Sequence, residues 1–106
     1  MRTAGTWGSP DRSLLVLTSL ADGPKYGYAL INDIEGFAGV RLGPGTLYGC
    51  LSKLEAAGLI EPLPAEERRH PYRVTAAGLR LLREELARSA RIAEVGLARA
   101  AWAASE

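Results

Sequence analysis

Five of the seven positions from Leu14 to Leu20 are apolar, and Leu14, Leu15, Val16, Leu17 and Leu20 cover most of a helix circumference. A helix apolar on almost all sides belongs in a core. Ser9-Pro10-Asp11 predicts its start, with a hydroxyl at N-cap, proline at N1 and an acid at the positive end of the dipole. Asp22-Gly23-Pro24 ends it. The next segment, about Tyr26 to Glu35, is one-sided: Ala29, Leu30, Ile31 and Ile34 form an apolar stripe, and Asn32, Asp33 and Glu35 face water. Gly27 lies one turn before Ile31, where the missing side chain lets another helix come close. The stretch "GFAGVRLGPG" (36–45), with four glycines and a proline, predicts a turn or loop.

A third helix is expected over 44–57, with Pro44 at N1 and Gly58 as the terminating glycine. Leu47, Cys50, Leu51 and Leu54 recur at helical spacing and predict the buried side. Opposite them stand Thr46, Tyr48, Gly49, Ser52, Lys53 and Ala56, a face of small, hydroxylated or cationic residues. Such a face can enter a groove. After Gly58, "LIEPL" and "YRVT" read as two short strands around "PAEERRHP", a polar tip with two arginines, and Pro71 has to stand at a strand start or edge. Thr75 then caps a last helix in which Leu79, Leu82, Leu86, Ala93, Leu97 and Ala100 follow a rough heptad. From Thr75 to Ala104 it would be about 45 Å long, more than a small domain covers. A second copy of the chain is the economical cover.

Composition narrows the function. The 106 residues suit one domain, and 47% hydrophobic with 24% charged residues is a globular balance. Thirteen Lys and Arg against 12 Asp and Glu leave a net charge of +1, so a nucleic-acid partner has to be held by a local patch. One cysteine, Cys50, and one histidine, His70, exclude an internal disulfide and a four-ligand zinc site within the chain. Cys50 falls on the core stripe and is expected to be a small buried hydrophobe. The longest apolar run is too short to cross a bilayer and no signal peptide is evident, so a cytoplasmic protein is expected. The sequence holds no Ser-His-Asp or Cys-His set, metal cluster, phosphate-cradling motif or convergent carboxylate pair, so neither an enzyme nor a bound cofactor is expected.

Three stretches carry a family likeness: "GPKYGYALINDI" (23–34), "PGTLYGCLSKLEAAGLIEP" (44–62) and "RRHPYRVTAAGLRLL" (68–82). In order and spacing, over most of residues 12–90, the chain resembles the PadR family of bacterial transcriptional regulators. The resemblance implies a mainly α fold: a winged helix-turn-helix with a two-stranded β wing and a long C-terminal dimerisation helix. Its divisions would be an N-terminal arm (1–8), a DNA-binding domain (9–75) and the dimerisation helix (76–106).

The resemblance further implies a dimeric repressor on a pseudo-palindromic operator, with helix 44–57 in the major groove and wing 64–71 on the flanking backbone. Carried onto this chain, the groove-facing positions are Gly45, Thr46, Tyr48, Ser52 and Lys53, the wing positions Arg68 and Arg69, and the phosphate positions Lys25 and Tyr26. Hydroxyl and backbone donors at a helix N-terminus suit phosphate, and Lys and Arg supply charge. Leu79, Leu82, Leu86, Ala93 and Leu97 would form the dimer seam, where a small apolar or aromatic effector could lodge. The chain departs from the family at Gly43, where a hydroxyl N-cap is common, and at Gly49, where a longer basic residue is common. A winged-helix module that binds protein and no DNA is the alternative, and a gel shift separates the two.

Overall fold

The computed structural model describes residues 11–64 and 69–105. Four helices and a two-stranded antiparallel sheet follow in the order α1 (Arg12–Leu20), α2 (Gly27–Ala38), α3 (Pro44–Ala56), β1 (Ile60–Pro62), β2 (Tyr72–Val74) and α4 (Ala76–Ala104). This is the mainly helical winged helix-turn-helix that the pattern predicts.

Each boundary has a local cause. Asp11, rather than Ser9, is the N-cap of α1, its carboxylate accepting from the Leu14 amide at 3.2 Å. Ser9, Pro10 and the rest of the predicted arm, Trp7 included, lie outside the described residues. Helix α2 runs three residues beyond the predicted Glu35. Gly36 stays helical, and the chain turns only at Gly39, whose φ of 69° is the left-handed conformation that glycine accepts without a Cβ clash. Helix α3 starts on Gly43, which offers no side-chain cap. It ends in a Schellman arrangement: Gly58 (φ 75°) donates to the Glu55 carbonyl at 2.9 Å and Leu59 donates to Leu54 at 3.0 Å.

Leu15, Val16, Leu17 and Leu20 of α1 pack with Leu30, Ile31 and Ile34 of α2, Leu47, Cys50, Leu51 and Leu54 of α3, Ile60 of β1 and Leu82 of α4. Each such side chain contributes about 1.5–3 kcal/mol when fully buried. Cys50 is buried as predicted. Ser19 is buried too, and its hydroxyl donates to the Asp33 carboxylate at 2.6 Å, joining α1 to α2.

The sheet pairs Ile60 with Val74, Glu61 with Arg73 and Pro62 with Tyr72, and the cross-strand Arg73–Glu61 ion pair is 3.0 Å long. Pro71 sits just before β2, where its carbonyl accepts from the Leu63 amide. A bridge not foreseen from sequence adds Lys25, whose amide and carbonyl exchange hydrogen bonds of 3.1 and 2.9 Å with Tyr72. The wing is thereby tied to the start of α2. Thr75 caps α4 by accepting from the Gly78 amide, and its hydroxyl donates to the Gly58 carbonyl at 2.7 Å.

Gly78 lets α4 lie flush against the domain. A Cβ there would come within 2.1 Å of the Leu59 carbonyl oxygen. Past Leu82 no residue of α4 is buried. The described residues are elongated accordingly, 60 Å along the longest axis and 28 and 27 Å across.

Candidate nucleic-acid interface

The third helix divides as its spacing predicts. Leu47, Cys50, Leu51 and Leu54 are buried, while Gly45, Thr46, Tyr48, Gly49, Ser52, Lys53 and Ala56 are all exposed. One side of α3 is therefore fixed by the core, and that fixes where the other side points. Nothing lies within 4 Å of where a Cβ would stand on Gly45 or Gly49, so this face is open as well as small.

Tyr48 carries more of the architecture than its exposure of 52% suggests. Its ring reaches across to the N-terminus of α2, where a Cβ on Gly27 would fall 2.5 Å from the Tyr48 hydroxyl oxygen. The room expected at Gly27 is thus filled chiefly by Tyr48 of the exposed face of α3, with Leu47 of its core stripe 3.5 Å away. Beside this contact the N-termini of α2 and α3, the turn between them and the wing enclose a groove of about 670 Å³. All four tyrosines of the chain, Tyr26, Tyr28, Tyr48 and Tyr72, line it together with Arg41, Arg69 and His70. Among the described residues no carboxylate does.

Within the groove the Arg69 guanidinium lies over the Tyr26 ring, 5.2 Å from its centroid, a cation–π contact that orients the side chain. His70 meets Tyr72 edge-on at 5.0 Å, and its Nδ1 is buried with no hydrogen-bond partner among the described residues. Arg41, in the turn before α3, pairs with Glu35 at 2.7 Å and stays half-exposed. Burial, followed by the nearby Glu55 carboxylate and Tyr48, raises the Tyr72 phenol above its ordinary range, so Tyr72 is a neutral hydroxyl.

Lys25 does not take its expected place on a phosphate. Its ammonium turns inward to the Ser19 carbonyl and the Asp22 carboxylate, leaving the side chain 16% exposed. Asp22, bonded to that ammonium, is held below the usual carboxylate range. The cause is positional: the Lys25 backbone is fixed by Tyr72, and the carbonyl-rich C-terminus of α1 is the acceptor within reach. Arg68 lies outside the described residues.

The profile of the Transcriptional regulator PadR-like family matches residues 16–84, from the first core residues of α1 to the last buried turn of α4. The chain belongs to the PadR-like family. A PadR family transcription regulator from Clostridium difficile has the same fold, with a TM-score of 0.72 at 24% identity over 78% of this chain and 91% of that one. A transcriptional regulator from Clostridium thermocellum gives 0.71 at 26% identity, over 79% and 87% of the two chains. By sequence, an uncharacterized 37.1 kDa protein in transposon TN4556 of Streptomyces fradiae is 49% identical over 82 residues. Those residues are 77% of this chain and 24% of the transposon protein, so the chain spans about a quarter of that relative.

The PadR-like family, to which the chain belongs, is one of transcriptional regulators. Among the described residues no helix is long and apolar enough to cross a membrane. Arg41 was missed by the sequence reading because Gly43 and Gly45 drew attention to the turn as a breaker. Its closeness to the α3 N-terminus was the available signal. Leu82 has left the expected dimer seam for the chain's own core, at 4% exposure, and Leu79 is half-buried. The Gly78 contact brings this first part of α4 onto the domain. Leu86, Ala93 and Leu97 remain exposed, as do Ile92 and Trp102, which the heptad reading passed over.

Proposed function

We propose that the chain is a sequence-specific repressor that acts as a homodimer, lays α3 in the major groove and rests the wing on the flanking backbone. The observation that carries this reading is the division of α3, whose buried stripe aims the opposite face of Gly45, Thr46, Tyr48, Ser52 and Lys53 outward. Small residues let the helix backbone approach bases closely, and Thr46, Ser52 and Lys53 supply donors for base edges and phosphates. Arg69, Tyr26 and Arg41 stand beside it on the groove rim and suit phosphate.

Dimerisation is supported by the outer half of α4, where Leu86, Ile92, Leu97 and Trp102 are 41%, 67%, 72% and 69% exposed. Leu86 and Leu97 share one side of α4 with Ala93 and Ala100, an apolar stripe open to another chain, while Ile92 and Trp102 lie on other sides of the helix. Two-fold pairing would set two α3 helices about 34 Å apart, facing successive major grooves of a pseudo-palindromic operator in the cytoplasm. A small apolar or aromatic effector between the paired helices would then act on the spacing of the two reading heads.

Three or four phosphate contacts per protomer give a log–log salt slope of about −5 to −7 for DNA binding. Fluorescence anisotropy over a salt series measures it. Lys53→Ala and Arg69→Ala each remove one contact from both protomers and should flatten the slope by about two units, and a variant with the parental slope removes its residue from the footprint. Absence of any duplex binding at low salt would return the chain to the protein-binding alternative.

A further inference from the structure

We propose that the groove between the wing and the helix-turn-helix is a binding site for a free nucleotide, a ligand that joins a phosphate to a planar base. Its lining is unusual for a surface that only slides along a duplex. A groove of about 670 Å³ falls within the range of small-ligand sites, and tyrosine rings from α2, α3 and the wing converge on it. Flat aromatic walls take a base by stacking, whatever its identity.

The polar groups complete the match. Arg69 is oriented over Tyr26 and presents a guanidinium fork, the geometry that grips a phosphate through two parallel bonds. Arg41, ion-paired with Glu35 at 2.7 Å, adds a second guanidinium to the lining, and among the described residues no carboxylate lines the groove to repel an anion. His70 Nδ1 is buried and has no hydrogen-bond partner among the described residues, and such an atom in a groove wall calls for an explanation. Neutral Tyr72 next to it adds a hydroxyl without negative charge. A cationic rim, stacking walls and a bounded volume together select a nucleotide over bare phosphate, which the rings do not serve, and over a nucleoside, which the guanidiniums do not serve. Because the groove opens beside the exposed face of α3, a bound nucleotide would also occupy space that a duplex needs; that consequence rests on the DNA reading above.

Isothermal titration with adenosine and guanosine monophosphates, inorganic phosphate and the two nucleosides tests the site directly. The nucleotides should bind at least about tenfold more tightly than either fragment. Arg69→Gln should weaken them about tenfold or more with an unchanged melting temperature, and Tyr26→Leu should weaken them less. Nucleotides no tighter than inorganic phosphate, dissociation constants above the millimolar range, or an Arg69→Gln variant that binds like its parent would overturn the assignment. Displacement of a prebound random-sequence duplex by the tighter nucleotide tests the overlap. Should no duplex bind at all, the DNA reading fails while the direct titration still decides the nucleotide site.

Discussion

The two halves of α4 are made of similar residues and live in different surroundings. In the first, Gly78 is pressed against the Leu59 carbonyl and Leu82 is 4% exposed; in the second, Leu97 is 72% exposed and Trp102 69%. Hydrophobicity alone does not distinguish Leu82 from Leu97. What differs is whether the chain itself offers a surface to pack against. The inner half is bound into the domain by a glycine and a threonine cap, whereas the outer half presents apolar side chains that nothing in the chain covers among the described residues.

The sharpest test of that contrast is Gly78→Ala. A methyl 2.1 Å from a backbone oxygen cannot be accommodated by side-chain rotation, so α4 must lift off the domain, at about 3 kcal/mol or more. A loss of at least about 10 °C in melting temperature is expected for a domain of this size, and a parental melt would mean that the close approach is not maintained in solution. Next in size is the pair Leu82→Ala and Leu97→Ala. The first should cost about 2–4 kcal/mol at every protein concentration, because it opens a cavity in the core. The second should leave a dilute monomer nearly as stable as the parent while weakening dimerisation about tenfold or more, read by sedimentation over a concentration series. Equal, concentration-independent losses from both would erase the distinction between the halves.

The smallest effect concerns alkaline pH. Tyr72 titrates above the ordinary phenol value of 10.0 in the folded chain because burial disfavours the phenolate. An unfolded chain ionises first, so the stability linked to Tyr72 is intact below about pH 10 and is lost as pH rises through the higher folded value. Tyr72→Phe should flatten that alkaline decline in a thermal melt series. Glu and Arg are the ionisable side chains of α4 itself, so the dimerisation constant should not follow the same curve. A decline identical in Tyr72→Phe and parent would assign it to other groups.

Much of this arrangement is legible from residue spacing. The buried stripe of α3, the Thr75 cap, the glycine stop at Gly58 and the pair of short strands all follow from local chemistry, since each depends on neighbours within a few positions. The failures share a cause as well. Gly36 looked like a breaker, yet α2 continues through Ala38 because a helix tolerates an exposed glycine when a better terminator, Gly39, follows. Lys25 looked like a phosphate ligand, but a hydrogen-bonded bridge to Tyr72, 47 positions away, fixes its backbone and turns its ammonium to α1. Leu82 looked like a seam residue until Gly78 drew its turn onto the domain. In the groove, the convergence of Tyr26 and Tyr28 with Tyr48 and Tyr72 joins three elements far apart in sequence and is invisible to any short window along the chain.

Thr75 deserves a mechanical reading. Its amide donates to the Leu59 carbonyl and its hydroxyl to that of Gly58, just where α3 has ended and α4 is about to begin, so two bonds rivet the shaft to its head without a swivel. In the proposed dimer, any twist of one tail against its twin would therefore be delivered as torque to the opposite end, so that a change at the tails would spread or pinch the two heads without first loosening either.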